Sequence, residues 1–469
     1  TLRRTAGLWS LWALGVGAVI SGDFFGWNHG LAAGGFGGLA LATAIIALMY
    51  TGLVYSIAEM SPALPHTGGA YSFGRTAMGP FGGFVTGLAE NMEYVLTPAV
   101  VVVAIGGYMS AISTELVGAD LPRPLWWLIT YGIFLSLNIW GAEITFKFSV
   151  VMAMLSLAIL VVFWVGAVPL FELDNALNIE PEPGRSRWLP FGINGVAGAM
   201  PFAIWFYLAI EQMPLAAEEA RDPKRDMPRA ILLAWLTLVV ASVLTLVLNS
   251  GIPGGAREVS ATDEPLFLGL RAIFGSGVGA SLLGLVAVAG LITSFHTILY
   301  AQGRNIYSLS RAGYFPRWLS VTGARRQTPH VALIVGSAIG FTVAVILEYG
   351  KDWFQGVPVG AVLLNMAVFG AVIAYIMQLV AFVQLRRKLP DIARPYVSPV
   401  GLWGALIACA ISAFTLIYLL IDPEIRVGIW GCLVWFALGL IYFAAFARKR
   451  LVYAPEEAFA ESGGRDGQI

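Results

Sequence analysis

Apolar runs of about twenty residues recur about twelve times along this chain, and that repetition limits its fold more than any single motif does. A run of that length matches the hydrocarbon thickness of a bilayer, where only helices and closed barrels satisfy their own backbone groups. Bounded by charge or by Pro and Gly clusters, the runs cover roughly 8 to 34, 36 to 60, 80 to 112, 124 to 140, 146 to 170, 193 to 217, 229 to 250, 277 to 308, 329 to 349, 357 to 385, 400 to 421 and 426 to 446. Of the 469 residues, 58% are hydrophobic and only 12% are charged. A soluble chain carries about twice that charged share. The expectation is an all-α integral membrane protein of about twelve transmembrane helices. The formal net charge is zero, so nothing draws the chain to nucleic acid. The partner implied is the lipid bilayer.

Basic residues set the orientation. With the N-terminus inside, Arg3, Arg4, Arg221, Lys224, Arg225, Arg229, Arg311, Arg317, Arg325, Arg326, Arg386, Arg387, Lys388, Arg394, Arg448, Lys449 and Arg450 fall on the cytoplasmic side, against Arg123, Arg185, Arg187, Arg257, Arg271, Lys351 and Arg426 outside. The chain then reads as a multi-pass protein of the inner (cell) membrane with both termini cytoplasmic. No cleavable signal peptide is evident, and the polar tail after Tyr453 is expected to be loosely attached. Cys409 and Cys432 both lie in apolar runs, where packing is the natural role.

The first run is interrupted where a spanning helix ought to be continuous. Gly15, Gly17, Gly22, Gly26 and Gly30 weaken it, and Ser21-Gly22-Asp23 puts a carboxylate near mid-membrane. A lone charge there costs at least about 2.5 to 3.5 kcal/mol, so it marks a used position. The sixth run is similarly irregular: Pro201, Pro214 and Glu211 break it, with Trp205, Phe206 and Tyr207 beside the expected break. Irregular runs at corresponding places in two halves of five are the signature of inverted-repeat transporters with a midplane site.

Three further stretches suggest a family. Y-S-I-A-E-M-S-P-A-L-P-H-T-G-G-A-Y-S-F from Tyr55 to Phe73, A-A-E-E-A-R-D-P-K-R-D-M-P-R-A-I from Ala216 to Ile231, and R-N-I-Y-S-L-S-R-A-G-Y-F-P from Arg304 to Pro316 resemble motifs of the amino acid, polyamine and organocation transporters. Within it, G-D-F-F-G-W-N-H-G-L and W-F-Y-L-A-I-E-Q-M-P-L-A-A-E-E look most like the ethanolamine permease branch. The resemblance implies the five-plus-five inverted-repeat (LeuT-like) fold with unwound helices 1 and 6. It also implies alternating access of a small amine by a carrier that works as a single chain. Residues 1 to 385 would form the transport core of helices 1 to 10, 386 to 446 would add helices 11 and 12, and 447 to 469 would be a cytoplasmic tail.

In amino acid carriers of that family, backbone N–H groups around a Ser-Gly break hold the substrate carboxylate. Here Asp23 follows Ser21-Gly22. A fixed carboxylate would repel a substrate carboxylate and attract an ammonium, by about 4 kcal/mol at about 4 Å and an effective dielectric near 20. The departure favours an amine without a carboxylate, such as ethanolamine. Phe24, Phe25, Trp205 and Phe206 would line the pocket by cation–π contact. The bland alternative is that Asp23 caps the second half-helix by accepting from the amides of Phe25 or Gly26.

Other intramembrane acids carry parallel readings. Glu90 and Glu93 share one face of the third span, so Glu93 and Tyr94 are candidates for substrate contact and Glu90 for coupling or for pairing within the bundle. Glu211 aligns with an acidic position resembling a proton-coupling residue of some relatives. Glu59, Glu218 and Glu219 read as loop anchors paired with Arg221 or Arg229, and His296 as a packing histidine. The lysine that proton-coupled relatives carry in helix five corresponds here to Ser156. Uniport, exchange, sodium coupling and proton symport through Glu211 or Glu93 are equally compatible with these residues, and no cofactor or metal set is implied. Four scattered histidines and the lack of any nucleophile elbow or phosphate loop argue against an enzyme. A proton-coupled amino acid symporter is the nearest alternative, and a non-transporting membrane sensor the alternative of another class.

Overall fold

A computed structural model describes residues 6–64, 68–118, 120–323, 328–350, 357–422 and 426–452, excluding the side chains of Ala142, Glu218, Arg426 and Val427. The polar tail after Tyr453 lies outside the described residues.

Helix α1 (Leu8–Val19) runs into one 3-10 turn at Ile20–Asp23, and the chain leaves helical geometry before α2 (His29–Ala63) begins. α2 holds two crossings. Gly35, at φ 67°, interrupts it, so residues 29 to 34 finish the first crossing and 36 to 63 make the second. Pro190 packs where a Cβ at that glycine would stand. α3 (Ala70–Val117) is broken likewise at Gly79, φ 78°, just before Pro80. α4 (Arg123–Trp140) and α5 (Ala142–Ala167) complete the first half, and a single turn, α6 (Leu173–Ala176), precedes the second.

The sixth crossing is α7 (Gly192–Trp205) followed by a 3-10 stretch, Ile210–Glu219. Between them Ala209 adopts φ 79°, the one left-handed non-glycine among the described residues. α8 (Pro223–Gly251) starts with Pro at its first position and with Asp222 accepting from the Arg225 amide at 3.2 Å. Two short helices, α9 (Gly255–Ala261) and α10 (Pro265–Phe274), connect it to α11 (Val278–Arg311). α12 (His330–Tyr349) and α13 (Val359–Lys388) close the second half, and α14 (Gly401–Ile421) and α15 (Arg426–Ala445) follow.

Ten helices of the described chain are long and apolar enough to cross a membrane. The two other expected crossings are Leu8–Asp23, cut short by the break, and α4, whose arginine, asparagine and tryptophans dilute its apolar character. Large apolar side chains such as Leu236 and Val240 of α8 and Val151 and Val165 of α5 face outward, as a lipid-facing surface requires.

The packing repeats itself. α2 lies on α7 as α8 lies on α1, α3 on α13 as α11 on α5, and α3 on α4 as α11 on α12. Exchanging spans one to five with spans six to ten therefore maps the main contacts onto themselves, with α3 against α11 on the axis. That is the packing of a five-plus-five repeat.

Two buried carboxylates paired with arginines tie the end of the bundle that carries Ala6. Glu59 accepts from Arg386 at 2.9 and 2.5 Å and from the Ser398 amide at 2.8 Å, with Arg394 3.2 Å away. Glu219 accepts from Arg304 at 2.5 Å and from Tyr300. Glu59 and Glu219 are thus anchors, but their partners are not the expected Arg221 and Arg229. Arg221 instead gives its backbone amide to Ala6 O at 2.8 Å, which leaves the Glu219 carboxylate to α11. The Glu218 side chain lies outside the described residues.

Candidate functional site

The first break is held by bonds within itself and by partners far along the sequence. The amides of Phe24 and Phe25 both donate to Ser21 O at 3.0 Å, and the Gly26 amide donates to Asn28 Oδ1 at 3.0 Å. Gly26 sits at φ 96°, with the Trp205 indole edge filling the space a Cβ would need. Asn28 in turn donates to Val259 O and Thr262 O, each at 2.9 Å, fastening the break to the α9–α10 connection. Tyr108 of α3 donates to Phe24 O at 2.6 Å and accepts from the Leu266 amide at 3.2 Å. The Ser21 amide donates to Ser294 Oγ of α11 at 3.2 Å, and Ser294 donates on to Ala18 O. Trp27, Asn28, Tyr108 and Ser294 escape a linear reading because their partners lie elsewhere in the chain.

Asp23 is fully buried, and among the described residues its carboxylate oxygens find no partner of good geometry, the Thr245 hydroxyl being the one close enough to bond it. The amides it would cap, those of Phe25 and Gly26, are already taken by Ser21 O and Asn28. Capping therefore does not explain this residue. Its surroundings are Thr245 of α8 and Tyr207. Thr245 accepts from Trp164 Nε1 of α5 at 3.2 Å, so its own hydroxyl proton is free to point elsewhere.

The second break touches the first through the backbone. A Cβ on Gly22 would overlap Trp205 O and the Phe206 Cα, so only glycine fits there. Phe206 stacks on Trp27, ring centroids 5.6 Å apart. The expected aromatic quartet does not close into one cage: the Phe24 ring packs against Gly290 of α11 and the Phe25 ring against Gly360 of α13. Trp205 keeps an unpartnered indole N–H. Tyr207 bonds Ser242 of α8 at 2.8 Å and packs on Tyr50, centroids 5.4 Å apart.

Glu90, Glu93 and Glu211 meet in a second buried cluster. Tyr94 OH lies 3.3 Å from Glu90 Oε1 and 3.4 Å from Glu211 Oε1, Tyr375 OH donates to Glu211 Oε2 at 3.2 Å, and Tyr50 OH donates to Tyr375 OH at 2.9 Å. Asn305 of α11 donates to Glu90 Oε2 at 3.3 Å. Glu93, whose oxygens find no partner of good geometry, faces Glu211. No lysine or arginine joins these described bonds. Tyr94 has one hydroxyl proton for two carboxyl groups, so the arrangement holds together only if the acids share protons. The Tyr207–Tyr50–Tyr375 series joins this cluster to the neighbourhood of Asp23.

Ser156 bonds Met152 O at 2.6 Å and Thr293 Oγ1 at 3.2 Å, a helix-to-helix contact between α5 and α11. His296 packs edge-on to Phe148 and Phe134, with Asn138 Nδ2 3.0 Å from its Nδ1.

Comparison with known sequences fits this geometry. The sequence model of the amino acid permease family matches residues 11–450. An uncharacterized transporter of Rhizobium meliloti is 27% identical over 85% of this chain and 83% of its own length. The branched-chain amino acid permease BcaP of Bacillus subtilis is 26% identical over 96% of this chain and 94% of its own. The methylthioribose transporter of Bacillus subtilis is 24% identical over the same shares. Two unwound crossings inside a five-plus-five bundle, carried by a sequence matched along nearly its whole length, lead to one conclusion: the chain belongs to the amino acid permease family of membrane transporters.

Proposed function

We propose that this transporter carries a small organic amine without a carboxylate, ethanolamine fitting best, by alternating access, with Asp23 meeting the substrate ammonium. One observation carries the reading: a carboxylate at the first helix break is buried, caps no helix amide and meets no cation among the described residues, the Thr245 hydroxyl being the group beside it. A group in that condition is destabilising unless a partner arrives, and a compact cation is the partner that matches it. In this reading Ser21, Gly22, Trp205, Phe206 and Tyr207 would meet the substrate around it, Phe24 and Phe25, whose rings pack on Gly290 and Gly360, would offer main chain alone, and Glu93 and Tyr94 would lie at the far end of the tyrosine series.

Family membership does not choose the substrate. Relatives of similar extent are named for a branched-chain amino acid and for methylthioribose. The second reading, a proton-coupled amino acid symporter, is favoured by the proton-sharing arrangement of Glu211, Glu93 and Glu90. Those acids would couple or gate transport in either case.

Uptake of labelled ethanolamine and of labelled alanine into proteoliposomes, with and without a pH gradient, separates the two. Saturable ethanolamine uptake that alanine does not compete is the expected result. Alanine uptake with no ethanolamine uptake would overturn the proposal in favour of the symporter.

A further inference from the structure

Away from the two breaks, a groove of about 360 Å³ opens on the outer surface between α3, α11, α12 and α15. Its wall includes Leu88, Val95, Ile306, Phe315, Ile339 and Tyr442, and it is almost wholly apolar. All but Phe315, which lies just past the end of α11, belong to membrane-crossing helices, and Val434 and Leu438 of α15 nearby are more than half exposed. The medium the groove meets is therefore hydrocarbon.

One end of the groove is basic. Arg317 directly follows the lining residues Phe315 and Pro316, and Arg448 and Lys449 follow Tyr442 by about two turns. All three side chains are exposed. The two segments are bound together at that end: the Val452 amide donates to Ala312 O at 3.1 Å, and Arg450 backs onto Gly313. The basic rim is thus a fixed part of the fold. Trp318, 55% exposed, stands beside it as an interfacial aromatic does.

An apolar slot at membrane depth with a cationic rim complements one kind of molecule in its surroundings. We propose that this groove is a binding site for an anionic phospholipid, one acyl chain lying in the slot and the phosphate meeting Arg317, Arg448 and Lys449. The rim supplies selectivity for headgroup charge, and the slot supplies affinity through buried hydrocarbon. The site is independent of the substrate reading and stands or falls separately from it.

The test is native mass spectrometry of the full chain in detergent, titrated with phosphatidylglycerol and, separately, with phosphatidylcholine of the same acyl chains. One phosphatidylglycerol per chain is expected to be retained at concentrations where phosphatidylcholine is not. Replacing both Arg317→Gln and Arg448→Gln should weaken that retention about thirtyfold, two basic side chains at an anionic surface. Ile339→Trp, which fills the slot, should weaken both lipids, and the unfolding temperature of each variant reports that it is folded. Equal retention of the two lipids, or unchanged retention in both folded variants, would refute the site. Complete Ile339→Cys cross-linking between chains in bilayers would also refute it, because a second copy would then occupy the groove.

Discussion

Replacing Asp23 with asparagine keeps the size and shape of the side chain, removes its charge and turns one acceptor oxygen into an NH2 donor. In the structure the carboxylate caps no amide, and the Thr245 hydroxyl beside it can donate to an amide oxygen as well, so the folded state gives up little. The amide, like the buried acid in its uncharged form, needs no counter-ion, and the unfolding temperature is expected to stay level. Binding should change where stability does not. An ammonium about 4 Å from a carboxylate at an effective dielectric near 20 gains about 4 kcal/mol before desolvation. If a third to two thirds of that survives the stripping of water from both ions, about 1.4 to 2.8 kcal/mol is lost in the variant, or a tenfold to hundredfold rise in KM for ethanolamine. Counterflow of labelled ethanolamine in proteoliposomes at matched protein content measures this. An unchanged KM in a well-folded Asp23→Asn protein would refute the ionic contact. A variant that instead gained alanine uptake would show that the charge excludes carboxylates, as the same argument requires.

Other perturbations have equally definite outcomes. Gly22→Ala drives a methyl into the Trp205 carbonyl and should cost about 1 to 3 kcal/mol of stability, with uptake lost before folding; thermal unfolding and transport on one preparation separate the two. Glu219→Gln leaves Arg304 buried beside an uncharged partner and should destabilise by about 3 to 5 kcal/mol, more than a paired replacement of both residues by apolar ones, as unfolding temperatures will show. Glu211→Gln should flatten the pH dependence of uptake while leaving ethanolamine binding nearly intact, measured by comparing uptake profiles with equilibrium binding. Outside the spans, burial followed by the charge of Asp263 holds the Glu264 carboxyl above the ordinary carboxylate range. The native state then keeps this proton more readily than the unfolded chain, so stability falls as pH rises through the raised value. Glu264→Gln should remove that slope, seen in thermal unfolding between about pH 4 and pH 7.

Local signals were legible in the sequence, and meetings across the chain were not. The boundary between the first two runs falls at Gly35, where the left-handed backbone demands a glycine. The density of glycine and the misplaced acid marked the first break. The second break was marked less well: Pro201 lies inside α7, and helical geometry ends four residues later, where Ala209 turns left-handed without any glycine to announce it. Glu90, Glu93, Tyr94 and Glu211 could each be singled out as acids or phenols at membrane depth, but their meeting joins positions more than a hundred residues apart. The same blindness misassigned Glu219. Arg221 and Arg229 are close to it in sequence, whereas Arg304 reaches it because α11 passes alongside. Thr245, Ser294 and Asn28 carried no signal at all, since a hydroxyl or amide in an apolar run looks alike whether it holds its own helix or another's loop.

Where Gly22 meets Trp205, main chain touches main chain with no side chain between. Side chains can swing aside to absorb a shift, but peptide planes in van der Waals contact pass it on. Displacing either kinked rod toward the other by even a few tenths of an ångström must push both, so the hinge of this carrier has no backlash. The two bends are meshed teeth of a single gear.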